Sequence, residues 1–142
     1  MAILIHHNHS GYQLPENQPL IQLGHVIIEK EKAQTGDINI IFTNNEEILE
    51  LNREYLEHDY YTDVIAFHYG PTTHVEGDIF ISLDKVYENS LEYQTGFKNE
   101  LVRVVIHGLL HLTGYNDKTD EERQHMRHLE DEYLDYYHHT LG

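Results

Sequence analysis

One stretch constrains this chain more than any other, Phe97 to Leu112. Leu101, Val102, Val104, Val105, Ile106, Leu109, Leu110 and Leu112 make it apolar nearly all round at helical periodicity, the pattern of a buried central helix. The rest of the chain must therefore supply the layers that wrap it. With 142 residues, 39% of them hydrophobic and 11% aromatic, there is material for one domain with a real core, and residues 1–142 are read as that domain. The chain has no cysteine, which excludes disulfides, thiolate zinc sites, iron–sulfur clusters and thiol nucleophiles.

The flanking sequence predicts short strands alternating with helices. Ala2 to His7 reads as a strand with Ile3 and Ile5 on one face, and Gly11 to Pro15 as a turn. Pro19 opens a helix, with Asn17 or Gln18 before it, that runs to about Ala33 and is stopped by Thr35-Gly36. Asp37 to Phe42 is a strand. Thr43 and Glu46 have the form of a capping box ahead of a helix carrying Ile48, Leu51 and Tyr55. Beyond a polar segment, Glu57 to Thr62, Val64 to Tyr69 reads as a strand, Gly70 to Gly77 as a loop and Asp78 to Ser82 as another strand. Ser82 caps a helix from Leu83 to about Gln94, broken by Thr95-Gly96. Gly114 is placed to end the central helix. Thr119 to Glu122 form a second capping box, for a last helix reaching about His138 with Met126, Leu129, Tyr133, Leu134 and Tyr137 inward. Four strands and four or five helices in mixed order predict an α+β domain built on a small mixed sheet.

No apolar run approaches the roughly 20 residues of a membrane span. The N-terminus, Met1 to His7, lacks the plan of a signal peptide. The expectation is a soluble cytoplasmic protein with no membrane partner. Nine Lys and Arg against 25 Asp and Glu give a net charge of −16 with histidine neutral. Such a chain repels phosphate backbones at long range, which argues against a simple DNA binder. A small local basic patch working with a metal ion remains compatible with RNA.

The chemistry is concentrated in His107-Gly108-Leu109-Leu110-His111-Leu112-Thr113-Gly114-Tyr115-Asn116-Asp117. His107 and His111 lie one turn apart on one helix face and can converge on one ion. Gly114 lets the chain turn back so that Asp117 reaches the same point. Two imidazoles and a carboxylate suit zinc with an open fourth position; manganese, nickel and iron are also tolerated. With 13 histidines, about one H-x-x-x-H pair arises by chance in such a chain, so the context and not the spacing carries the reading. The alternative is a pair of core histidines bonded to backbone or acids, since imidazole buried without a partner is costly. Gly108 stands where an H-E-x-x-H protease has its glutamate, which counts against a protease.

These residues resemble the YbeY family of metal-dependent endoribonucleases, the rRNA maturation factors. The match to its H-G-x-L-H-L-x-G-Y-D-H segment runs through His107, Gly108, Leu110, His111, Leu112, Gly114 and Tyr115. Thr62-Asp63-Val64-Ile65-Ala66-Phe67 is similar to the family's T-D-V-L-S-F strand, and Glu76-Gly77-Asp78-Ile79-Phe80-Ile81-Ser82 to its L-G-D-I-x-I-S strand. Asn52, Tyr55 and Asp59 fit its N-x-x-Y-x-x-x-D pattern, and Glu100 fits too. The resemblance implies a zincin-like helix presenting the ligands, with one divalent ion, zinc first. It implies hydrolysis of single-stranded RNA at the 3′ end of 16S rRNA, together with ribosome quality control. The expected partners are rRNA and the small ribosomal subunit.

Two departures matter. The family's third histidine falls on Asp117, giving a His107, His111, Asp117 ligand set with one more negative charge, which should make bound water less acidic than in a three-histidine site. The family's arginine after the motif tyrosine falls on Leu56, and Arg53, about one turn earlier, is the candidate to replace it as an RNA contact. No general base is evident. These departures keep a second reading open, a noncatalytic or weakly catalytic ribosome-assembly factor with a bound metal. Asp63 and Asp78 read as strand-end or turn carboxylates that could instead back the ligands. Glu121 to Asp135 reads as the solvated face of the last helix, and His6, His7 and His9 as surface histidines. Tyr55, Tyr60 and Tyr61 are grouped near the site and could stack bases, though core-edge packing is the commoner use.

Overall fold

A computed structural model describes residues 2–7, 11–56 and 62–142. The sheet is built from β1 (Ile3–His7), β2 (Gln34–Thr43), β3 (Val64–His68) and β4 (His74–Ser82), in the order β1-β2-β4-β3. β1 and β4 both run parallel to β2, while β3 pairs antiparallel with β4 and forms an edge. The parallel pairs need crossovers, and helices supply them. The helices are α1 (Asn17–Lys30), α2 (Asn45–Tyr55), α3 (Leu83–Tyr93), α4 (Phe97–Leu112) and α5 (Asp120–Tyr136), the last continuing into a π-helical turn at Tyr137–Leu141. The expected α+β class, with about four strands and four or five helices, is what the chain adopts: four strands and five α-helices among the described residues. No helix among the described residues is long and apolar enough to cross a membrane.

The inner sheet face carries Ile38, Ile40, Phe42, Ile79 and Ile81, all fully buried. α4 lies across it with ten buried residues, as its all-round apolar pattern requires. Each fully buried Leu, Ile or Val contributes about 1.5–3 kcal/mol relative to exposure. α1 packs beside α4, with Gly24 against Ile3 and Leu109. On the other face a polar ladder crosses the strands: His6 to Asn39 at 2.9 Å, Asn39 to Asp78 at 3.0 Å and Tyr69 to Asp78 at 2.9 Å.

Several expected boundaries moved. α1 starts at Asn17 with Glu16 as N-cap, so Pro19 sits in the first turn, where its missing N–H costs no helical bond. Thr35-Gly36 belongs to β2, which begins at Gln34 and takes up a register shift between Thr35 and Ile38. The cap of α2 is Asn44, which accepts from Glu47 N at 3.0 Å, not Thr43. Thr43 is fully buried at the end of β2 and donates to the Glu47 carboxylate. β4 starts at His74, so the second half of the expected loop from Gly70 to Gly77 is strand. The Ser82 cap and the Thr119–Glu122 capping box form as expected, and α4 has the predicted ends. The segment Glu57 to Tyr61, with Asp59, Tyr60 and Tyr61, lies outside the described residues, as does His9.

Candidate metal centre

His107 and His111 occupy the one stripe of α4 that the core does not cover, with side chains 22% and 27% exposed. Their height above the sheet is set by Gly108. A Cβ at that position would lie 2.7 Å from Ile79 Cγ2, so the helix rides on β4 as closely as bare backbone allows. A glutamate there has no room, which gives a steric reason for the missing H-E-x-x-H residue. After α4, Gly114 adopts φ +105°, a conformation that favours glycine, and turns the chain back.

The turn delivers Asp117. Its Oδ2 lies 3.1 Å from His107 Nε2 and 3.5 Å from His111 Nε2, and the two Nε2 atoms are 2.9 Å apart. The other ring nitrogens are occupied. His111 Nδ1 donates to the Tyr115 carbonyl at 2.9 Å, and His107 Nδ1 to Glu130 Oε2 at 2.6 Å. A carbonyl only accepts, so the His111 proton is on Nδ1 and its Nε2 presents a lone pair. The Glu130 carboxylate selects the same tautomer at His107. Three donor atoms therefore converge with lone pairs inward. Ligands about 2.0–2.1 Å from a tetrahedral zinc stand roughly 3.3 Å apart, and the observed 2.9–3.5 Å separations bracket that value. The donor set fits a divalent ion. The backbone and acid partners expected of core histidines are also present: they occupy the Nδ1 atoms, and the acid facing the Nε2 atoms is Asp117, itself the third donor.

The two imidazoles titrate apart. Burial pushes His107 down, but the hydrogen bond and charge of Glu130, with Asp117 and Asp63, outweigh it and hold the ring above its ordinary value. Burial and the neighbouring His107 charge hold His111 below its own. Glu130 is 6% exposed and also receives Arg103 at 3.1 Å, while Arg103 reaches Asp131 at 2.6 Å. This corrects the reading of Glu121 to Asp135 as wholly solvated. Glu130 follows Met126 by four residues and precedes Tyr133 and Leu134 by three and four, so the signal was its place on the inward stripe. The Tyr115 ring is anchored as well: its hydroxyl and that of Tyr133 both donate to Glu31.

Two clefts meet at His107 and Asp117, and His111 lines the larger of them. The smaller, about 380 Å³, includes Asn89, Tyr93, Arg123 and Arg127 in its wall. The larger, about 710 Å³, runs along edge strand β3 and is lined by Asn52, Leu56, His68 and Lys118 among others. His107, Asp117 and Asp63 line both. Four of the nine Lys and Arg residues, Arg103, Lys118, Arg123 and Arg127, face one cleft or the other despite the net charge of −16.

The other sequence candidates separate. Leu56, 41% exposed, borders the larger cleft, whereas Arg53 is exposed and lines neither cleft. Asp63 holds Asn89 Nδ2 at 3.2 Å, and burial pushes its carboxyl up against the opposing pull of His107. Asp78 belongs to the ladder on the outer sheet face. Tyr55 stands edge-on to Phe67, 5.7 Å between centroids, and borders neither cleft. His6 and His7 are exposed, as expected. Sequence reasoning missed Glu130, the Tyr115 carbonyl and the two arginines of α5.

The profile of the family described as endoribonuclease YbeY matches residues 8–138. The chain is 46% identical over 121 residues to endoribonuclease YbeY of Cytophaga hutchinsonii, covering 84% of this chain and 85% of that one. It is 48% identical over 108 residues to the protein of the same name from Parabacteroides distasonis, covering 76% of each. The counterpart from Flavobacterium psychrophilum is 41% identical over 127 residues, 89% of this chain and 91% of that one. A solution structure of a Thermotoga maritima protein superposes with a TM-score of 0.66 at 31% identity, covering 95% of this chain and 88% of that chain. Fold, donor set and sequence agree: the chain belongs to the endoribonuclease YbeY family.

Proposed function

We propose that this chain is a metal-dependent endoribonuclease that cuts single-stranded RNA, with zinc as the ion and the 3′ end of 16S rRNA on the small ribosomal subunit as its target in the cytoplasm, where it also serves ribosome quality control. The observation that carries the reading is the convergence of His107 Nε2, His111 Nε2 and Asp117 Oδ2 where two clefts meet. Both clefts carry cations in an otherwise acidic protein.

His107, His111 and Asp117 would hold the ion. When bound, it would make water acidic enough to attack and polarise a phosphoryl oxygen. Glu130 and the Tyr115 carbonyl keep both rings in the ligating tautomer. Asp63 lines both clefts and its carboxyl is pushed up by burial, which makes it this chain's candidate for moving a proton at the scissile phosphate. The cations on either side would counter the charge of the RNA backbone locally, where long-range attraction is absent.

One observation favours a second reading. Leu56 leaves an apolar, uncharged wall where the family resemblance places an arginine, which fits a noncatalytic or weakly catalytic assembly factor. Cleavage of a single-stranded RNA carrying the 16S 3′ precursor end separates the two. Wild type is run with and without chelator, beside His111→Ala and Asp117→Ala purified in parallel. Cutting that needs both the metal and the two ligands is expected. Cutting that survives in the variants, or none with zinc or manganese on free RNA and on ribosomes, sinks the enzyme reading.

A further inference from the structure

The smaller cleft contains two side chains that nothing in the fold employs. Arg103 is tied to Glu130 and Asp131. Arg123 is tied to Asp120 and to the carbonyls of Asp117 and Lys118. Arg127 lies one turn beyond Arg123 on the same face of α5 and, among the described residues, makes no hydrogen bond or ion pair. Tyr93, the last residue of α3, is 57% exposed and has neither a ring contact nor a hydroxyl partner among the described residues. Both border the cleft that contains His107 and Asp117. A charged guanidinium and a bare aromatic face, projecting from two different helices into one cleft, are the two groups by which a single-stranded nucleic acid is held. The guanidinium takes a phosphate and the ring takes a base.

We propose that Arg127 and Tyr93 form a nucleotide subsite beside the metal centre, Arg127 binding an RNA phosphate next to the scissile one and Tyr93 stacking the adjoining base. The proposal rests on the RNA reading of the previous section. It explains how a strand can be held when Leu56 offers no charge in the larger cleft. Among the described residues, the neighbouring acids have other partners than Arg127. Glu130 is engaged by Arg103 and His107, Glu100 by Thr95, and Asp63 by Asn89. The chain's overall negative charge makes the contact a local one, so binding depends on this placed cation and not on the field of the whole molecule.

The test is fluorescence anisotropy with a labelled single-stranded RNA of about ten nucleotides, titrated at several salt concentrations in chelator, where the protein cannot cut. Wild type is compared with Arg127→Gln, Tyr93→Ala and Tyr93→Phe. Lys98→Gln is the control, removing the same charge from an exposed position that borders neither cleft. Arg127→Gln should weaken binding and flatten the slope of log K against log salt by about 0.7, the loss of one phosphate contact. Tyr93→Ala should weaken binding roughly tenfold, and Tyr93→Phe should restore it. If Arg127→Gln keeps the slope of Lys98→Gln, or Tyr93→Ala binds like wild type, the subsite is refuted while the RNA reading stands. If wild type itself binds no RNA, the RNA reading falls and the subsite with it.

Discussion

Replacing Glu130 by glutamine tests how the metal centre is built. The side chain is 8% exposed and accepts from His107 Nδ1 at 2.6 Å, a charge-assisted bond inside the protein. Bonds to charged groups contribute about 1.5–3 kcal/mol, against about 0.5–1.5 kcal/mol for neutral pairs. Glutamine can still accept from Nδ1 but without the charge, so about 1–1.5 kcal/mol is removed from the ligating tautomer. That corresponds to roughly tenfold weaker ion binding, the low end of the 10–100-fold range for groups that back a ligand histidine. Glu130→Ala, which removes the acceptor altogether, should fall toward 100-fold. The assay is competition for zinc against a chelator of known affinity, with a urea melt of the metal-free variants alongside. Arg103 keeps Asp131 at 2.6 Å, so the glutamine variant should fold. Unchanged zinc affinity in Glu130→Gln would refute the reasoning. So would a loss as deep as that of His107→Ala, because glutamine would then have destroyed the site and not merely weakened one support.

Two further outcomes concern stability. Gly108→Ala places a methyl 2.7 Å from Ile79 Cγ2 and 3.4 Å from Val64 Cγ2, so α4 must lift or Ile79 must shift, at a cost of about 1–3 kcal/mol; a urea midpoint equal to wild type would mean that the helix–sheet approach is not limiting. At alkaline pH, Tyr115 is pushed up to about 12 by its hydrogen bond to Glu31 and by burial, and Tyr12 to about 12 by burial and its bond to Asp84. The neutral phenols favour the folded state, so their contribution is whole below pH 10 and is lost between about pH 10 and 12. Urea midpoints at pH 8 and 11 should fall less for Tyr115→Phe than for wild type; equal declines would argue against the Tyr115–Glu31 bond.

How much the sequence discloses depends on how far each signal is local. α4 was legible to the residue because ten of its sixteen residues are buried and glycines flank its ends. β4 was not. Its alternation of His74, Val75, Glu76 and Gly77 is hidden by a glycine on the inward face. That glycine is required because a Cβ would lie 2.2 Å from the Phe67 carbonyl oxygen on the neighbouring strand, a contact that no window of sequence contains. Thr43 looked like a cap by its neighbours, yet the strand it ends buries it and the cap passes to Asn44. At the site, the two histidines and Asp117 were legible because helix geometry and a turn place them. Glu130 was hidden in a run of acids, and Arg127 looked like any solvent-facing charge. Their roles depend on how α5 packs against α4, which follows from tertiary structure alone.

The third donor does not belong to α4. Asp117 sits on the connection to α5, where Arg123, from the first turn of α5, clasps the carbonyls of Asp117 and Lys118 at 3.4 and 2.9 Å. The position of that carboxylate is therefore a property of the docked C-terminal helix. Linkage is reciprocal: an ion held by all three donors returns part of its binding energy to the docking of α5, up to about 2.7 kcal/mol when the free ion stands at a hundred times its dissociation constant. A bound ion would then act as a latch between α4 and α5, and in metal-poor surroundings the docking of α5 would lose that contribution.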